Sequence, residues 1–215
     1  MSPNDPSRLR RFRRWAAWVR RSMRPLARMT YEPDTFPDLE SPMVLVANHR
    51  SLFDVFVAVE ALDRYGCPAR CLVRRRYMDQ PVVGHALRAV DCIPAGDGSG
   101  GSIGEAVETL EAGRSVAVMA EGRVNPPDAR QADGLGELRP GFVAIARKVD
   151  ARILPIGITG SDEVWPRDRL PRFRPWRRPT VDVRLGPPIE IGDASDDEVM
   201  AATRTAISSL LTDRA

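Results

Sequence analysis

"MVLVANHRSLFDVFVAVEAL", residues 43–62, joins two apolar patterns of different period across a short polar turn. The run 43–47 is short, continuous and rich in valine, which is typical of a buried strand in a parallel sheet. From Leu52 onward the apolar residues recur at helical spacing, and Ser51 is a favourable N-cap for that helix. The stretch therefore predicts a strand, a turn that contains His49, and a helix.

The same alternation of β-rich runs and helical patterns continues beyond residue 40 and predicts an α/β domain with a mostly parallel or mixed sheet flanked by helices. Strands are predicted at 43–47, 69–73, 90–94, 115–119, 152–159 and 180–186. Helices are predicted near 52–64, 79–89, 102–112, 139–149 and 195–211. Ser102 with Glu105, and Ser195 with Glu198, have the spacing of capping boxes. The stretches 121–137 and 165–179 are predicted to be surface loops.

Composition bounds the class of protein. The 215 residues are 43% hydrophobic and 28% charged, which suits one globular domain with a substantial core. Three cysteines without closely spaced doublets indicate reduced thiols in the cytosol and no zinc or other metal site. No apolar stretch approaches the roughly 20 residues that span a bilayer, so we expect a soluble or peripheral protein.

The opening stretch "SRLRRFRRWAAWVRRSMRPL" predicts a basic amphipathic helix, with an apolar face and an arginine face. The apolar face contains Leu9, Phe12, Trp15, Ala16, Val19 and Met23. The opposite face contains Arg10, Arg13, Arg14, Arg20, Arg21 and Arg24. This pattern fits a helix that lies on an anionic membrane surface through residues 8–24, and it equally fits a helix that packs on the protein's own core. Nucleic-acid binding is not expected, because a second recognition element is missing.

His49 and Asp54 form the first candidate pair. Within one helix, five residues would separate them by more than a third of a turn, but the predicted turn allows the chain to fold back. The Asp54 carboxylate then accepts an imidazole N–H, which leaves the other nitrogen of His49 free to take a proton. A capping box formed by Ser51 and Asp54 is the alternative.

Five blocks of the sequence, in order, resemble those of the PlsC-like lysophospholipid acyltransferases, the family of 1-acylglycerol-3-phosphate acyltransferases. "NHRSLFD" is similar to the N-H-x4-D block, and "RRRYMDQPVVGHALRAVDCIP" is similar to the second block, which contains Arg74. "AEGRVN" resembles the Glu-Gly-Thr-Arg block, "LRPGFVAIARKVDARILPIGITG" the fourth, and "VDVRLGPPIEI" the strand near the family's C-terminus. The resemblance spans residues 40–191.

The resemblance implies a glycerolipid acyltransferase-like fold in residues 29–215, after an N-terminal helical segment in residues 1–28. It implies an O-acyltransferase that acts on a lysophospholipid with acyl-CoA or acyl carrier protein as co-substrate and without a further cofactor. His49 is then the general base and Asp54 orients it. The implied substrate-binding residues are Asn48, Arg74, Glu121, Gly122 and Arg123. The expected location is the cytoplasmic face of a membrane, with peripheral attachment.

Two blocks depart from the family pattern. Glu121 and Gly122 are followed directly by Arg123, so either the usual threonine is replaced or the arginine is shifted by one place. After Ile-Pro, where the family often has an arginine, this chain has Ala95, Gly96 and Asp97, and Arg74 or Arg88 is the candidate to compensate. A lipid acceptor without a phosphate, and a membrane-associated lipid-binding protein with little activity, are therefore alternatives.

Ser102 lies in "GGSIG", which matches the nucleophile elbow of α/β-hydrolases. That mechanism requires a histidine after the serine, whereas both histidines, His49 and His85, precede it. A hydrolase is therefore not expected, and His85 is predicted to be a packing or surface residue.

Overall fold

The computed structural model describes residues 6–36, 41–67, 69–96, 101–167, 169–173 and 176–212. Within them, seven strands form one sheet in the order β1-β7-β6-β2-β5-β3-β4. The strands are β1 (Arg28–Glu32), β2 (Val44–Ala47), β3 (Arg70–Arg74), β4 (Ile93–Ala95), β5 (Val116–Met119), β6 (Ile153–Thr159) and β7 (Thr180–Leu185). Neighbouring strands are parallel except β6 and β7, which are antiparallel. The predicted α/β class with a mostly parallel, mixed sheet is confirmed.

Helices cover both faces of this sheet. They are α1 (Pro6–Met23), α2 (Asp54–Arg64), α3 (Arg75–Met78), α4 (Pro81–Ala89), α5 (Gly101–Glu111), α6 (Gly141–Val149), α7 (Ser161–Val164) and α8 (Asp196–Leu211). Strand β2 is buried along its whole length, and its side chains alternate between the two cores. Leu45 and Ala47 pack towards α1 and α2, while Val44 and Val46 pack towards α5, α6 and α8. The central position of β2 explains why its apolar run is continuous.

The apolar stripe of α1 is part of the first of these cores. Ala16, Val19 and Met23 are buried there, so much of the predicted apolar face packs on the protein itself. Trp18 remains 56% exposed, and the arginines of the opposite face are mostly exposed. The boundary at residue 28 stays a prediction, and residues 1–5 and 213–215 of the two predicted ranges lie outside the described residues.

The structure differs from the sequence prediction at several local points. Strand β1 was not predicted, because it is an edge strand that pairs with β7 about 150 residues later along the chain. Helix α5 begins at Gly101, so Ser102 lies inside its first turn and the predicted N-cap is wrong. Glu105 instead accepts a hydrogen bond from Arg70 at 2.6 Å. The Ser195 and Glu198 capping box is confirmed at the start of α8.

Candidate active site

The end of β2 is fixed by a buried asparagine. The Asn48 side chain donates to the carbonyl of Ile158 at 2.9 Å and accepts from the Ile158 N–H at 2.7 Å. On the other side of β2, the residue that follows β5 also contacts this end of the strand: the Ala120 N–H donates to the carbonyl of Ala47 at 2.9 Å. These contacts set the path on which the chain leaves the sheet at His49. A substrate-binding role for Asn48 stays a prediction.

His49 and Asp54 are in contact. Nδ1 of His49 lies 2.9 Å from Oδ2 of Asp54, and the aspartate is fully buried. The same carboxylate oxygen accepts the backbone N–H groups of Arg50 at 2.7 Å and Ser51 at 2.8 Å. Asp54 therefore orients the imidazole and also holds the turn in shape through two backbone N–H groups, whereas the alternative capping box with Ser51 as N-cap does not form.

The local helix start differs from the prediction. Helix α2 begins at Asp54 rather than after Ser51, so the predicted N-cap at Ser51 is wrong. The Ser51 hydroxyl accepts the Phe53 N–H at 3.0 Å and donates to the carbonyl of Trp165 at 2.7 Å. Ser51 thus stabilises the turn before the helix and links it to the chain that follows α7.

The hydrogen bond decides which nitrogen of His49 is basic. An ionised carboxylate oxygen only accepts hydrogen bonds, so the contact with Asp54 places the proton of the neutral imidazole on Nδ1. Nε2 then carries the lone pair. The His49 side chain is 13% exposed, whereas that of Asp54 is fully buried. This is the arrangement of a general base that is oriented by a carboxylate.

Glu121 forms a second buried network beside the first. Its Oε1 accepts the His49 N–H at 2.8 Å, and its Oε2 accepts the Gly136 N–H at 2.9 Å and a short hydrogen bond from the Asn125 side chain. Glu121 is buried and comes directly after Ala120 at the end of β5. The carboxylate therefore holds the His49 backbone and the loop 121–137 together. A substrate-binding role for Glu121 stays a prediction.

Gly136 must be a glycine in this network. A Cβ at that position would lie 2.1 Å from the side-chain nitrogen of Asn125 and 2.5 Å from Oε2 of Glu121. Neither Asn125 nor Gly136 was singled out from the sequence, because the stretch 121–137 was predicted to be a surface loop. The apolar Leu135 and Leu138 on either side of Gly136, both buried, were the available signal that this loop turns inward.

The remaining predicted residues, Gly122, Arg123 and Arg74, are more exposed than Glu121. Gly122 has φ +63° and donates its N–H to the carbonyl of Met119 at 2.9 Å, so this N–H is already used within the turn. Arg123 is exposed, and its Nε donates to Oδ1 of Asn125 at 3.1 Å, which links it to the Glu121 network. Arg74 is exposed at the end of β3. Substrate binding by all three stays a prediction.

Arg88, in the second sequence block, was the other candidate for a phosphate contact. Arg88 donates from Nη1 to the carbonyl of Met78 at 2.6 Å, where Gly84 lets α3 approach α4. Asp97 lies outside the described residues.

The loop 121–137 is held down from two sides. Arg130 donates to the carbonyl of Asn125 and to Asp162 at 3.0 Å. Asp133 pairs with Arg204 of α8, with 2.6 Å between Nε and Oδ2. Burial alone would raise the pKa of Asp133, but hydrogen bonds from Arg204 and from the Leu135 N–H hold that pKa below its ordinary value.

An apolar groove of about 1340 Å³ lies between α1, α2 and α4. Its lining is mostly apolar side chains from these three helices, among them Trp15, Trp18, Val55, Phe56, Val59 and Val83. Val55 follows Asp54 in the chain, so helix α2 connects one wall of the groove to the turn that holds His49. A groove of this character suits an acyl chain better than a polar metabolite.

Comparison with known proteins then places the chain in a family. A family model described as Acyltransferase matches residues 28–159, which contain His49, Asp54 and Glu121. The chain belongs to the acyltransferase family. This confirms the family that the five sequence blocks indicated.

Two acyltransferases are similar to this chain. A probable 1-acyl-sn-glycerol-3-phosphate acyltransferase of Mycoplasma genitalium is 30% identical over 128 residues, which are 57% of this chain and 46% of that protein. The chain thus spans about half the length of this relative. The crystal structure of the 1-acyl-sn-glycerophosphate acyltransferase PlsC from Thermotoga maritima superposes with a TM-score of 0.69 at 18% identity, over 92% of this chain and 77% of that one. That superposition supports the fold.

The described residues of this acyltransferase-family chain were compared with the patterns of metal sites and of membrane-spanning helices. Among the described residues, no group of three or more histidine, cysteine, aspartate or glutamate side chains is arranged to hold a metal ion. None of the helices within the described ranges combines the length and the apolar character needed to cross a bilayer.

Proposed function

We propose that this protein transfers a fatty acyl group from acyl-CoA or acyl carrier protein to the hydroxyl of a lysophospholipid such as 1-acylglycerol-3-phosphate. The observation that carries the proposal is the contact between His49 and the buried Asp54, at the start of helix α2, which also lines an apolar groove. Membership of the acyltransferase family supports the reaction class.

In the proposed reaction, Nε2 of His49 takes the proton of the acceptor hydroxyl as its oxygen attacks the thioester carbonyl. The C–S bond breaks, a C–O ester bond forms, and the imidazolium returns the proton to the leaving thiolate. Asp54 keeps Nδ1 protonated and stabilises the imidazolium. A positioned base of this kind contributes about 10²-fold to 10⁴-fold to the rate.

For the acceptor phosphate we propose Arg123 as the first contact, with Arg74 as a second. Both arginines are exposed. Arg123 is joined through Asn125 and Glu121 to the turn 48–53 that contains His49, here named the catalytic turn. The groove between α1, α2 and α4 is the proposed place for an acyl chain. A lipid acceptor without a phosphate is the second candidate, and the irregular Glu121-Gly122-Arg123 block favours it.

We also propose peripheral attachment to the cytoplasmic face of a membrane through residues 8–24. The buried stripe of α1 is not available for this, so contact would depend on its exposed arginines and on Trp18. Each arginine near an anionic lipid surface contributes roughly 1 kcal/mol. Replacing Arg10, Arg13 and Arg14 by glutamine should weaken binding to anionic vesicles; unchanged binding would remove α1 from the interface.

The decisive experiment incubates purified protein with radiolabelled acyl-CoA or acyl carrier protein and a panel of lysophospholipids and monoacylglycerols. Product formation that falls at least about 100-fold in His49→Ala, with an unchanged circular dichroism spectrum, supports the proposal. Lipid binding without turnover would identify a lipid-binding protein with the acyltransferase fold. Turnover with monoacylglycerol alone would select the acceptor without a phosphate.

A further inference from the structure

We propose that residues 165–179, here named the tryptophan-arginine loop, insert their apolar side chains into an anionic lipid surface. This inference rests on the proposed membrane attachment but assigns it to a different part of the chain. Among the described residues, the three most exposed large apolar side chains are Trp176 at 91%, Leu170 at 85% and Phe173 at 65%. All three lie within seven consecutive positions. Exposed apolar residues that cluster in this way mark a site of interaction, whereas single ones are ordinary.

The charge of the tryptophan-arginine loop selects the partner. Its sequence, "WPRDRLPRFRPWRRP", contains six arginines and one acidic residue, Asp168. Arginines that alternate with tryptophan, phenylalanine and leucine match the interface of an anionic bilayer, where the cations meet headgroups and the apolar side chains enter the acyl region. Asp168, Arg174 and Pro175 lie outside the described residues. The exposed side chains of Leu170, Phe173 and Trp176 lie among the described residues.

The first end of the loop is anchored beside the catalytic turn. Ser51, two residues after His49, donates a hydrogen bond from its hydroxyl to the carbonyl of Trp165 at 2.7 Å. The indole ring of Trp165 stacks on Phe56 with 6.3 Å between ring centroids, and Phe56 lines the apolar groove. The start of the loop is thus in contact with both the catalytic turn and one wall of the groove.

The loop is also closed at its base and tied to α1. The Arg172 N–H donates to the carbonyl of Val164 at 2.8 Å, and the indole N–H of Trp165 donates to the carbonyl of Arg169 at 2.9 Å. Near the far end, Arg178 donates to the carbonyl of Arg24 at 2.7 Å, just after α1. The loop therefore bridges the catalytic turn and the helix proposed to contact the membrane.

A functional consequence follows from this placement. Insertion of the loop would hold the groove and His49 at the lipid surface. A lysophospholipid could then present its hydroxyl to His49 while its acyl chain stays in an apolar environment, and the diacyl product would remain in the bilayer.

The test measures binding of the full chain to phosphatidylcholine vesicles with and without phosphatidylglycerol. We expect Leu170→Ser/Phe173→Ser/Trp176→Ser to lower binding to the anionic vesicles at least about tenfold. Arg169→Gln/Arg177→Gln should weaken binding to anionic vesicles only. Lys148→Gln, at an exposed position near the end of α6, removes a single positive charge elsewhere on the surface and should bind as the parent does.

A second measurement uses the unaltered protein. Brominated lipids should quench its tryptophan fluorescence, and Trp176→Phe should remove a large part of that quenching, whereas a tryptophan that stays in water would not be quenched. Vesicle binding and quenching that are unchanged in these variants would overturn the inference. The inference would also be overturned if the parent bound a single-stranded oligonucleotide or an acidic protein but did not bind vesicles.

Failure of loop insertion can be distinguished from failure of the proposed acyl-transfer reaction. Turnover with a water-soluble, short-chain acceptor tests the chemistry without a membrane, and the triple variant should retain it. Trp18→Ser reports the contribution of α1 by itself. Loss of turnover in every assay with vesicle binding intact would refute the proposed reaction and leave the loop assignment standing.

Discussion

Replacement of Glu121 by glutamine separates two roles for this residue. The family resemblance predicts substrate binding, whereas the contacts of the carboxylate point to positioning of His49. Three donors, the N–H groups of His49 and Gly136 and the side chain of Asn125, converge on its two oxygens. In Glu121→Gln one oxygen becomes an NH₂ group, so whichever way the amide is oriented it faces at least one of these donors.

The size of the effect follows from that count. A buried donor without an acceptor costs about 1 to 3 kcal/mol, and a hydrogen bond to a charged group contributes about 1.5 to 3 kcal/mol. If the amide oxygen keeps the two donors on the Oε2 side, only the His49 N–H is lost. If it faces His49, the other two are lost. We therefore expect Glu121→Gln to lower the free energy of unfolding by about 2 to 4 kcal/mol.

Urea unfolding and steady-state kinetics provide the assay. With a slope of about 2 to 3 kcal/mol per molar urea, the midpoint should fall by about 1 M. Because either orientation of the amide breaks the network that ties the His49 backbone to the loop 121–137, kcat should fall about 10-fold to 100-fold while the KM for the acceptor changes little. Glu137→Gln, in the same loop with a 70% exposed side chain, is the matched control and should change stability by less than about 0.5 kcal/mol.

The opposite pattern would refute the positioning role. If Glu121→Gln unfolds at the urea midpoint of the parent and raises the KM for the acceptor with an unchanged kcat, the carboxylate binds substrate. In that case the three converging donors do not describe its function.

Three other results are expected. Gly84→Ala should lower the free energy of unfolding by about 3 kcal/mol or more, because its Cβ would lie 1.9 Å from the carbonyl oxygen of Met78; urea unfolding with an unchanged midpoint would contradict this. The lowered pKa of Asp133 makes its pair with Arg204 stabilising above the ordinary aspartate pKa, with that stability lost as pH falls through the lowered pKa. Asp133→Asn should therefore be less stable than the parent at pH 7, and thermal melts should show the difference closing below about pH 4; a constant difference would exclude the pair as its cause. Arg123→Ala should raise the KM for 1-acylglycerol-3-phosphate and leave that for a monoacylglycerol unchanged; equal changes would remove the phosphate contact.

The contact between His49 and Asp54, the proposed catalytic pair, was predictable because its determinants are local. A valine-rich run, a short polar turn and a helical pattern lie within residues 43–62, and the contact between His49 and Asp54 spans only five positions. Strand β1 was not predictable in the same way. Its residues alternate between exposed and half-buried, and its partner is β7, near the other end of the chain. No local pattern in residues 28–32 specifies such a distant pairing.

The Glu121 network shows a different limit. Glu121 itself was singled out, but the residues that use its carboxylate, Asn125 and Gly136, lie in a stretch rich in glycine, proline and charge. Such composition usually indicates an exposed loop. Here the loop turns inward because Asn125 and Gly136 donate hydrogen bonds to the buried carboxylate of Glu121. Without that acceptor, each donor would be buried without a partner. The sequence shows the donor types but not which of them converge.

Helix α1 shows why amphipathic periodicity by itself does not identify a membrane contact. The spacing of Ala16, Val19 and Met23 predicted an apolar face, and the structure buries that face against the protein's own core. Removing apolar surface from water is favourable, but the surface of these residues is already removed from water by the core. Contact with a bilayer would therefore add no further hydrophobic stabilisation from them. Within the part of the chain that the structure describes, the large apolar side chains that stay most exposed are Trp176, Leu170 and Phe173, and all three lie in the tryptophan-arginine loop. The membrane contact proposed for this chain is therefore to be sought where apolar side chains remain uncovered, beside the turn that holds His49.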